Sequence, residues 1–276
     1  MRAVTLTTSD GVRLRADWLG SATDPGPAVV LCHGFTQCAT RPAIRQMVDA
    51  LSPEVPVLVP DLRGHGRSGG ACTLGDDEVH DIAAAVAEAR RQGHARVVTL
   101  GVSMGAAIVL RHAALAEPGQ RPDAVAAVSG PSRWWIRESA AMRRVHWVVE
   151  QPHGRLAGLL VGVRIAGHWY DGGWAVVPAS PVEIMDRIAP TPLLVVHGSH
   201  DEYFGTDHAV ALHRAADGHG QLWLEPGMGH GAGGTSPALV HRIVNWARAV
   251  TATGPEGIGH CDADGSDGNE QDGEAA

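Results

Sequence analysis

The sequence of 276 residues contains no lysine, and it has only four cysteines, two phenylalanines and two tyrosines. Its 22 basic residues are all arginines, which we attribute to GC-rich codon usage. The cysteines lack C-x-x-C spacing, so neither a disulfide framework nor a metal site is expected, and no cofactor is indicated. No apolar run reaches about 18 residues and no signal-peptide segment is recognisable, which predicts a cytoplasmic location without a membrane span.

Charge of one sign dominates only near the C-terminal end. From Thr253 onward there are seven acidic residues and no basic residue, so the rest of the chain is close to neutral. A near-neutral body gives no reason to expect nucleic acid or an acidic membrane as a partner. Residues 252–276 have too few apolar side chains to offset the entropy of ordering, and we predict that they form a disordered acidic tail.

Short apolar runs alternate with longer helical patterns, which predicts βαβ crossovers and an α/β fold with a doubly wound, mostly parallel sheet. The continuous apolarity of most runs is typical of strands that helices cover on both faces. Ser9-Asp10-Gly11 is a hairpin signal between the first two strands. The predicted strands are 4–8, 13–19, 28–32, 55–59, 97–101, 124–129, 193–197 and 221–224. The predicted helices are 42–51, 76–92, 104–116, 207–216 and 237–250, with Asp76 and Asp77 at the cap of the second.

The alternation of strands and helices breaks from Pro131 to about Met185. We interpret residues 131–185 as an insertion into a core that comprises residues 1–130 and 186–251. The insertion carries six arginines and five of the eight tryptophans. These tryptophans are Trp134, Trp135, Trp147, Trp169 and Trp174.

The pentapeptide Gly101-Val102-Ser103-Met104-Gly105 has the pattern G-x-S-x-G, directly after an apolar strand and directly before a helix. A serine on such a sharp turn projects its hydroxyl into a cleft, and small flanking residues let the backbone turn tightly. The helix N-terminus then faces developing negative charge. The bare pattern often arises by chance, but its position here predicts that Ser103 is a nucleophile.

A serine hydroxyl needs a base to take its proton and an acid to orient that base. Among sixteen histidines, His230 follows the last strand in a glycine-rich loop at the same sheet edge as Ser103, and we predict that it is the base. Asp201 lies just past a strand and is predicted to be the acid, with Glu202 and Asp207 as rivals. An aspartate in such a loop equally often caps a helix or forms a turn. Packing or surface roles are expected for His197, His200, His208, His213 and His219.

Acyl transfer also needs N–H groups aimed at the oxyanion of the tetrahedral intermediate. The backbone N–H of Met104 is one candidate because of its position after Ser103. His33-Gly34 follows a buried strand and lets its loop approach the nucleophile, so the backbone N–H of Phe35 is the second candidate. Phe35 and Met104 are therefore expected to act through their backbone, and conservative changes of their side chains should be tolerated.

Five ordered motifs resemble those of the α/β-hydrolase superfamily. They are His33-Gly34-Phe35, Pro60-Asp61-Leu62-Arg63-Gly64-His65-Gly66-Arg67-Ser68-Gly69, the pentapeptide around Ser103, His197-Gly198-Ser199-His200-Asp201 and Gly229-His230. The second motif is similar to that of monoglyceride-lipase-like esterases and serine aminopeptidases. The resemblance covers residues 1 to about 250. It implies an eight-stranded sheet with a short helical lid inserted after the sixth strand, and Ser103, Asp201 and His230 as a catalytic triad.

Two departures narrow the expected activity. Serine at position 103 argues against the dehalogenase and epoxide-hydrolase branches, which use aspartate there. The insertion lacks an acidic cluster for a free α-amino group, which argues against an aminopeptidase. We therefore predict a serine hydrolase that acts on a small-molecule carboxylic ester or thioester. Acyl transfer to an acceptor other than water, and a non-catalytic binding protein on the same fold, are the alternatives.

The insertion supplies the candidate substrate contacts. Apolar aromatic residues suit a pocket that excludes water and holds an acyl chain, although tryptophans also pack a lid onto its core. Trp134, Trp135 and Trp147 are the predicted contacts. A group of arginines can bind an anionic substrate group such as a carboxylate or the phosphates of a CoA thioester, although such a helix face is more often solvated or paired. These arginines are Arg133, Arg137, Arg143 and Arg144.

The glycine-rich turn, residues 61–69, is expected to be structural. Its glycines permit a tight path, and Arg63 and His65 are expected to brace neighbouring loops rather than contact substrate. Its side chains are expected to line the edge where the cleft opens.

Overall fold

Within the residues that the computed structural model describes, namely 1–20, 26–166, 174 and 176–252, eight strands form one sheet. The strands are β1 (Arg2–Thr7), β2 (Arg13–Leu19), β3 (Ala28–Cys32), β4 (Val57–Pro60), β5 (Val97–Val102), β6 (Ala124–Val128), β7 (Leu193–Gly198) and β8 (Gln221–Glu225). Their spatial order is β1-β2-β4-β3-β5-β6-β7-β8. The pairs β1–β2 and β2–β4 are antiparallel, and the other pairs are parallel. The predicted doubly wound, mostly parallel sheet is confirmed.

Helices cover both faces of the sheet. They are α1 (Pro42–Leu51), α2 (Glu78–Arg91), α3 (Met104–Leu115), α4 (Ala140–Glu150), α5 (Pro152–Leu160), α6 (Thr206–Ala215), α7 (Gly231–Gly234) and α8 (Pro237–Ala252). Buried residues of α2, α3 and α6 form one core with the sheet, and those of α1 and α8 form a second. Because successive side chains of a strand point to opposite faces, each of the parallel strands β3 to β7 contributes to both cores, and their residues are apolar or small apart from Thr99 and His197. None of the described helices is long and apolar enough to cross a membrane.

The start of α2 differs from the prediction. Asp77 occupies the cap position, but its side chain makes no capping hydrogen bond. Glu78 instead accepts a hydrogen bond from the backbone N–H of Gly75 at 2.8 Å, and Asp76 forms an ion pair of 3.2 Å with Arg111. The predicted aspartate cap is wrong because Asp77 already has a helical backbone, with φ −74° and ψ −14°, whereas a capping residue has an extended backbone that brings its side chain over the first turn.

The chain between β6 and β7 contains the predicted insertion. Its two helices, α4 and α5, pack against each other. The last residues of the predicted range return to the core, where Ile184 and Met185 are buried together with side chains of α3. Trp169 and the predicted acidic tail beyond Ala252 lie outside the described residues.

The segment that follows α5 is hydrogen-bonded to the glycine-rich turn and to the residues that follow that turn. The backbone N–H of Arg164 donates to the carbonyl of Gly64 at 2.7 Å, and the carbonyl of Arg164 accepts from the N–H of Cys72 at 2.7 Å. The N–H of Ala166 donates to the carbonyl of Cys72 at 2.9 Å. These backbone hydrogen bonds fix where the chain leaves α5 and make the turn a support for the insertion.

Candidate active site

Ser103 lies at the sharp junction between β5 and α3. Its backbone has φ 58° and ψ −120°, a conformation that L-residues adopt only under constraint. A Cβ atom on Gly101 would lie 2.2 Å from the carbonyl oxygen of Gly105, and one on Gly105 would lie 2.2 Å from that of Cys32. Both glycines of the G-x-S-x-G pattern are therefore required for the turn that presents the Ser103 hydroxyl.

Three polar side chains form a continuous chain of hydrogen bonds at the carboxyl edge of the sheet. Oγ of Ser103 lies 2.9 Å from Nε2 of His230, and Nδ1 of His230 lies 2.7 Å from Oδ2 of Asp201. The residues follow β5, β8 and β7 respectively, and these parallel strands end at one edge of the sheet. The structure thus brings together the three residues that the sequence singles out.

The Asp201 carboxylate is completely buried. Its Oδ1 accepts hydrogen bonds from the backbone N–H groups of Tyr203 at 2.8 Å and Phe204 at 3.1 Å. Burial by itself raises the pKa of this carboxyl, but the contacts with His230 and the two N–H groups outweigh burial and hold the pKa below its usual value. An ionised Asp201 accepts the Nδ1–H of His230, which leaves Nε2 free to accept a proton from Ser103.

A second histidine supports the Asp201 loop from inside the protein. His197 is completely buried, and its Nε2 lies 3.6 Å from Oδ2 of Asp201. The same nitrogen lies 3.1 Å from the carbonyl oxygen of Phe204, so the ring donates a hydrogen bond to that carbonyl. His197 therefore has the packing role expected of it, at a position directly behind the acid.

The rival residues do not contact His230. Glu202 and Asp207 are exposed, and neither forms a hydrogen bond to the imidazole within the part of the chain that the structure describes. His208 and His219 form hydrogen bonds elsewhere, to a serine side chain and to a backbone carbonyl. No group of three or more His, Cys, Asp or Glu side chains among the described residues could hold a metal ion.

The loop after β3 lies against the nucleophile. A Cβ atom on Gly34 would lie 3.1 Å from Cβ of Ser103 and 3.6 Å from its Oγ, so the approach depends on glycine. The backbone N–H groups of Phe35 and Met104 have no hydrogen-bond acceptor among the described residues. Two unpartnered N–H groups adjacent to Ser103 are what an oxyanion site requires.

His33 holds this loop in place. Its Nε2 accepts a hydrogen bond from the N–H of Leu62 at 3.0 Å, so Nδ1 carries the proton and donates to the carbonyl of Gly34 at 2.9 Å. Burial, with a smaller effect of the nearby His65, lowers the pKa of His33 to about 3. The ring is therefore neutral at physiological pH, and each of its nitrogens makes one hydrogen bond.

A cavity of about 460 Å³ opens above Ser103 and His230. The insertion forms one of its walls, and most of the lining is apolar. The wall includes Trp134, Trp135, Met142, Val145, Val149 and Trp174. An apolar cavity that ends at a nucleophile and its base is suited to a substrate with an apolar part next to the reacting bond.

The sequence profile of the alpha/beta hydrolase family matches residues 29–243, well over half of the chain. The chain belongs to the α/β hydrolase family. This membership confirms the resemblance of the five motifs and agrees with the strand order of the sheet.

Known relatives of this α/β hydrolase carry different names. It is 27% identical over 274 residues to a non-heme chloroperoxidase of Streptomyces lividans, an alignment that covers 86% of this chain and 96% of that protein. It is 38% identical over 104 residues to the lipase LipV of Mycobacterium tuberculosis, covering 37% of this chain and 36% of that protein. The esterase Pf2001 of Pyrococcus furiosus has a TM-score of 0.69 at 20% identity over 90% of each chain, which is a likeness of fold.

Two of the three tryptophans predicted to contact substrate line the cavity of this α/β hydrolase. Trp134 and Trp135 are in its wall, whereas Trp147 is not. Trp147 is 47% exposed and packs edgewise on His153, with ring centroids 5.1 Å apart. It projects from the side of α4 opposite to Val145, because residues two positions apart on a helix face away from each other.

The glycine-rich turn also lies outside the cavity. None of its residues, all of which the structure describes, lines the cavity. Arg63 is buried and donates hydrogen bonds to Asp81 at 2.9 Å and Asp10 at 2.8 Å. The structural role predicted for the turn is confirmed, and the expectation that its side chains line the cleft is wrong, because most of them are buried in the fold and the exposed Arg67 pairs with Asp17 at 2.9 Å.

Sequence reasoning missed two aromatic neighbours of His230. The ring of Tyr203 lies 4.2 Å from the imidazole at an angle of 31°, and that of Phe204 lies 5.5 Å away at 67°. Both side chains also line the cavity. A signal was present, since two of only four phenylalanines and tyrosines in the sequence follow Asp201 almost directly.

Proposed function

We propose that this α/β hydrolase cleaves a carboxylic ester or thioester through an acyl-enzyme on Ser103. The observation that carries the proposal is the unbroken hydrogen-bonded chain from Ser103 through His230 to the buried Asp201, at the floor of an apolar cavity. The names of a lipase and an esterase among its relatives support an ester as substrate.

In the first half of the proposed reaction, Oγ of Ser103 attacks the carbonyl carbon and its proton passes to Nε2 of His230. The carbonyl oxygen becomes an oxyanion and accepts hydrogen bonds from the backbone N–H groups of Phe35 and Met104. His230 then returns the proton to the leaving oxygen or sulfur as the carbon–heteroatom bond breaks, and the acyl group stays on Ser103.

In the second half, water attacks the acyl carbon while Nε2 of His230 takes one of its protons. The tetrahedral intermediate collapses, the proton moves to Oγ of Ser103 and the carboxylic acid leaves. Asp201 stays ionised throughout and holds Nδ1 of His230, which stabilises the imidazolium formed in each half.

Initial rates on p-nitrophenyl esters from acetate to palmitate test this function. We expect an optimum of acyl length and a loss of about a millionfold in turnover for Ser103→Ala. Ser199→Ala is the matched control, since Ser199 is an exposed serine at the same sheet edge whose Oγ accepts from the N–H of Gly227 at 2.9 Å. A Ser103→Ala enzyme that keeps most of its activity would overturn the proposal.

Acyl transfer to an acceptor other than water uses the same residues and is the second candidate. The apolar cavity favours acyl transfer because it keeps water away from the acyl-enzyme. Hydrogen peroxide is one possible acceptor, and the Streptomyces lividans relative is named a chloroperoxidase. Products formed with competing alcohols, amines or peroxide distinguish transfer from hydrolysis. Labelling of Ser103 by a fluorophosphonate distinguishes both from a non-catalytic binding protein.

A further inference from the structure

Two charged side chains that line the cavity have no oppositely charged partner among the described residues. Arg133, Arg144 and Glu202 line it, and Arg133 is paired with Glu138 at 2.5 Å. Arg144 and Glu202 have neither an ion pair nor a hydrogen bond within the described residues. Both residues are exposed, so one positive and one negative group at the cavity face solvent and are accessible to a bound molecule.

These two charges stand on different elements. Arg144 is on α4, on the same helix as the wall residues Val145 and Val149. Glu202 follows Asp201 directly, on the loop that holds the acid against His230. The cavity is thus positive on the insertion and negative beside the triad.

The other arginines of the insertion are satisfied within it. Arg137 pairs with Glu150 at 2.5 Å, and Arg143 donates to the carbonyls of Arg137 and Glu138 at 3.1 and 2.9 Å. Arg143 is also absent from the cavity lining. Of the four arginines considered for anion binding, Arg144 alone among the described residues combines a place at the cavity with an unpartnered guanidinium.

We propose that the substrate carries a carboxylate remote from the reacting ester, at the far end of an apolar acyl chain, and that Arg144 binds it. This inference rests on the proposed function. An acyl chain that lies along the apolar α4 wall, past Val149 and Val145, comes next to Arg144, whose planar donors match a carboxylate. Glu202 repels the same group from the triad side, so the two charges together orient the substrate with its ester toward Ser103.

Binding to the Ser103→Ala variant tests this inference without turnover. Trp134, Trp135 and Trp174 line the cavity, so tryptophan fluorescence reports occupancy. We expect monomethyl adipate to bind more tightly than methyl hexanoate, its neutral counterpart. In the Ser103→Ala background, we expect the second substitution Arg144→Gln to weaken binding of monomethyl adipate about tenfold. We expect it to change binding of methyl hexanoate by less than about twofold.

Two further variants make the test specific. Arg143→Gln removes the same charge from α4 outside the cavity and leaves both affinities unchanged. Glu202→Gln leaves the preference for monomethyl adipate intact or increases it. Equal loss in Arg144→Gln and Arg143→Gln, equal weakening of both ligands by Arg144→Gln, or no preference for monomethyl adipate at the outset overturns the inference.

The outcome is independent of the test of hydrolysis. If the p-nitrophenyl esters are not turned over and a fluorophosphonate does not label Ser103, but the Arg144-dependent preference is present, the serine hydrolase is wrong and the anion site stands. If esters are hydrolysed in a manner that depends on Ser103 and the preference is absent, the function stands and the carboxylate is wrong.

Discussion

At the scale of single residues, His230 is surrounded by aromatic rings as well as by its hydrogen-bond partners. The face of Tyr203 lies 4.2 Å from the imidazole. An aromatic ring at this distance attracts a cation through its quadrupole, and in the proposed reaction His230 becomes cationic when it takes the Ser103 proton. The proposed reaction therefore predicts that this attraction is greater in the transition state than in the resting enzyme and that it contributes to the rate.

We expect Tyr203→Leu to lower kcat for a p-nitrophenyl ester about tenfold, because leucine fills the space without a quadrupole. Tyr203→Phe retains the ring and should keep kcat within about twofold of the original enzyme. The backbone N–H of Tyr203, which donates to Asp201, is present in both variants. Steady-state measurement of kcat for the original enzyme and the two variants tests this expectation. An equal decrease of kcat in both variants would contradict a role for the ring.

The sequence identifies Ser103, Asp201 and His230 because each lies next to a strand end, and parallel strands bring those ends together. It does not identify Tyr203, because the stacking depends on the path of the loop after β7. It also does not separate Arg144 from Arg143, or show that Trp147 on the same helix faces away from the cavity. Which of two neighbouring side chains faces the cavity depends on how a helix is rotated about its axis, and the tertiary packing sets that rotation.

At the scale of elements, the close approach of α3 to β3 depends on a single glycine. A Cβ atom on Gly105 would meet the carbonyl oxygens of Cys32 and His33 at 2.2 and 2.7 Å. These atoms belong to the backbone, so they cannot move aside as a side chain can. The first turn of α3, which presents Ser103, therefore packs directly against the backbone at the end of β3, where the loop that contains Gly34 begins.

Gly105→Ala is expected to lower the free energy of unfolding by about 3 kcal/mol, because the added methyl group forces α3 away from β3. Gly119→Ala is the matched control, since nothing lies within 4 Å of a Cβ atom there, and we expect a change of less than about 0.5 kcal/mol. Equilibrium denaturation measures both. Similar free energies for the two variants would show that the predicted clash is relieved at little cost.

Prediction from sequence reached the individual elements of the core but not those of the insertion. The core strands and helices repeat one pattern, and all five predicted core helices are present. The resemblance implied a helical lid, but the bounds of α4 and α5 were not predicted from the pattern of residues. In α5 the buried residues are Gly154 and Gly158, while Leu156, Leu159 and Leu160 are exposed. The apolar side chains of α5 therefore do not mark its packed face, and the usual signal of a helix is missing there.

At the scale of the whole molecule, buried histidines link stability to pH. His112 on α3 is 2% exposed, and neither of its ring nitrogens has a hydrogen-bond partner among the described residues. Burial lowers its pKa from 6.5 to about 4. As the pH falls below 6.5, His112 of the unfolded chain is protonated, whereas His112 of the folded protein stays neutral until about pH 4. The free energy of unfolding therefore decreases over that pH range.

His112→Met removes this titration and replaces an unsatisfied polar ring by an apolar side chain of similar size. We expect the variant to be at least as stable as the original protein near pH 8, and its advantage to grow by about 2 kcal/mol near pH 5. Urea denaturation of both proteins at the two pH values measures the difference. An advantage that does not change with pH would show that His112 is protonated, or hydrated, in the folded protein.

The attachment of the insertion has a consequence for how substrate range can change. The helices α4 and α5 are held on one side by backbone hydrogen bonds of Arg164 to Gly64 and Cys72, and on the other by the Ser139 hydroxyl, which donates to the carbonyl of Tyr203 at 2.9 Å. The α4 part of the cavity wall lies between these attachments, whereas the other wall residues and Ser103, Asp201 and His230 lie outside them. Residues 140–160 can therefore be exchanged as a cassette, and a graft from another α/β hydrolase would change the selectivity that α4 sets while the reaction chemistry stays with the recipient.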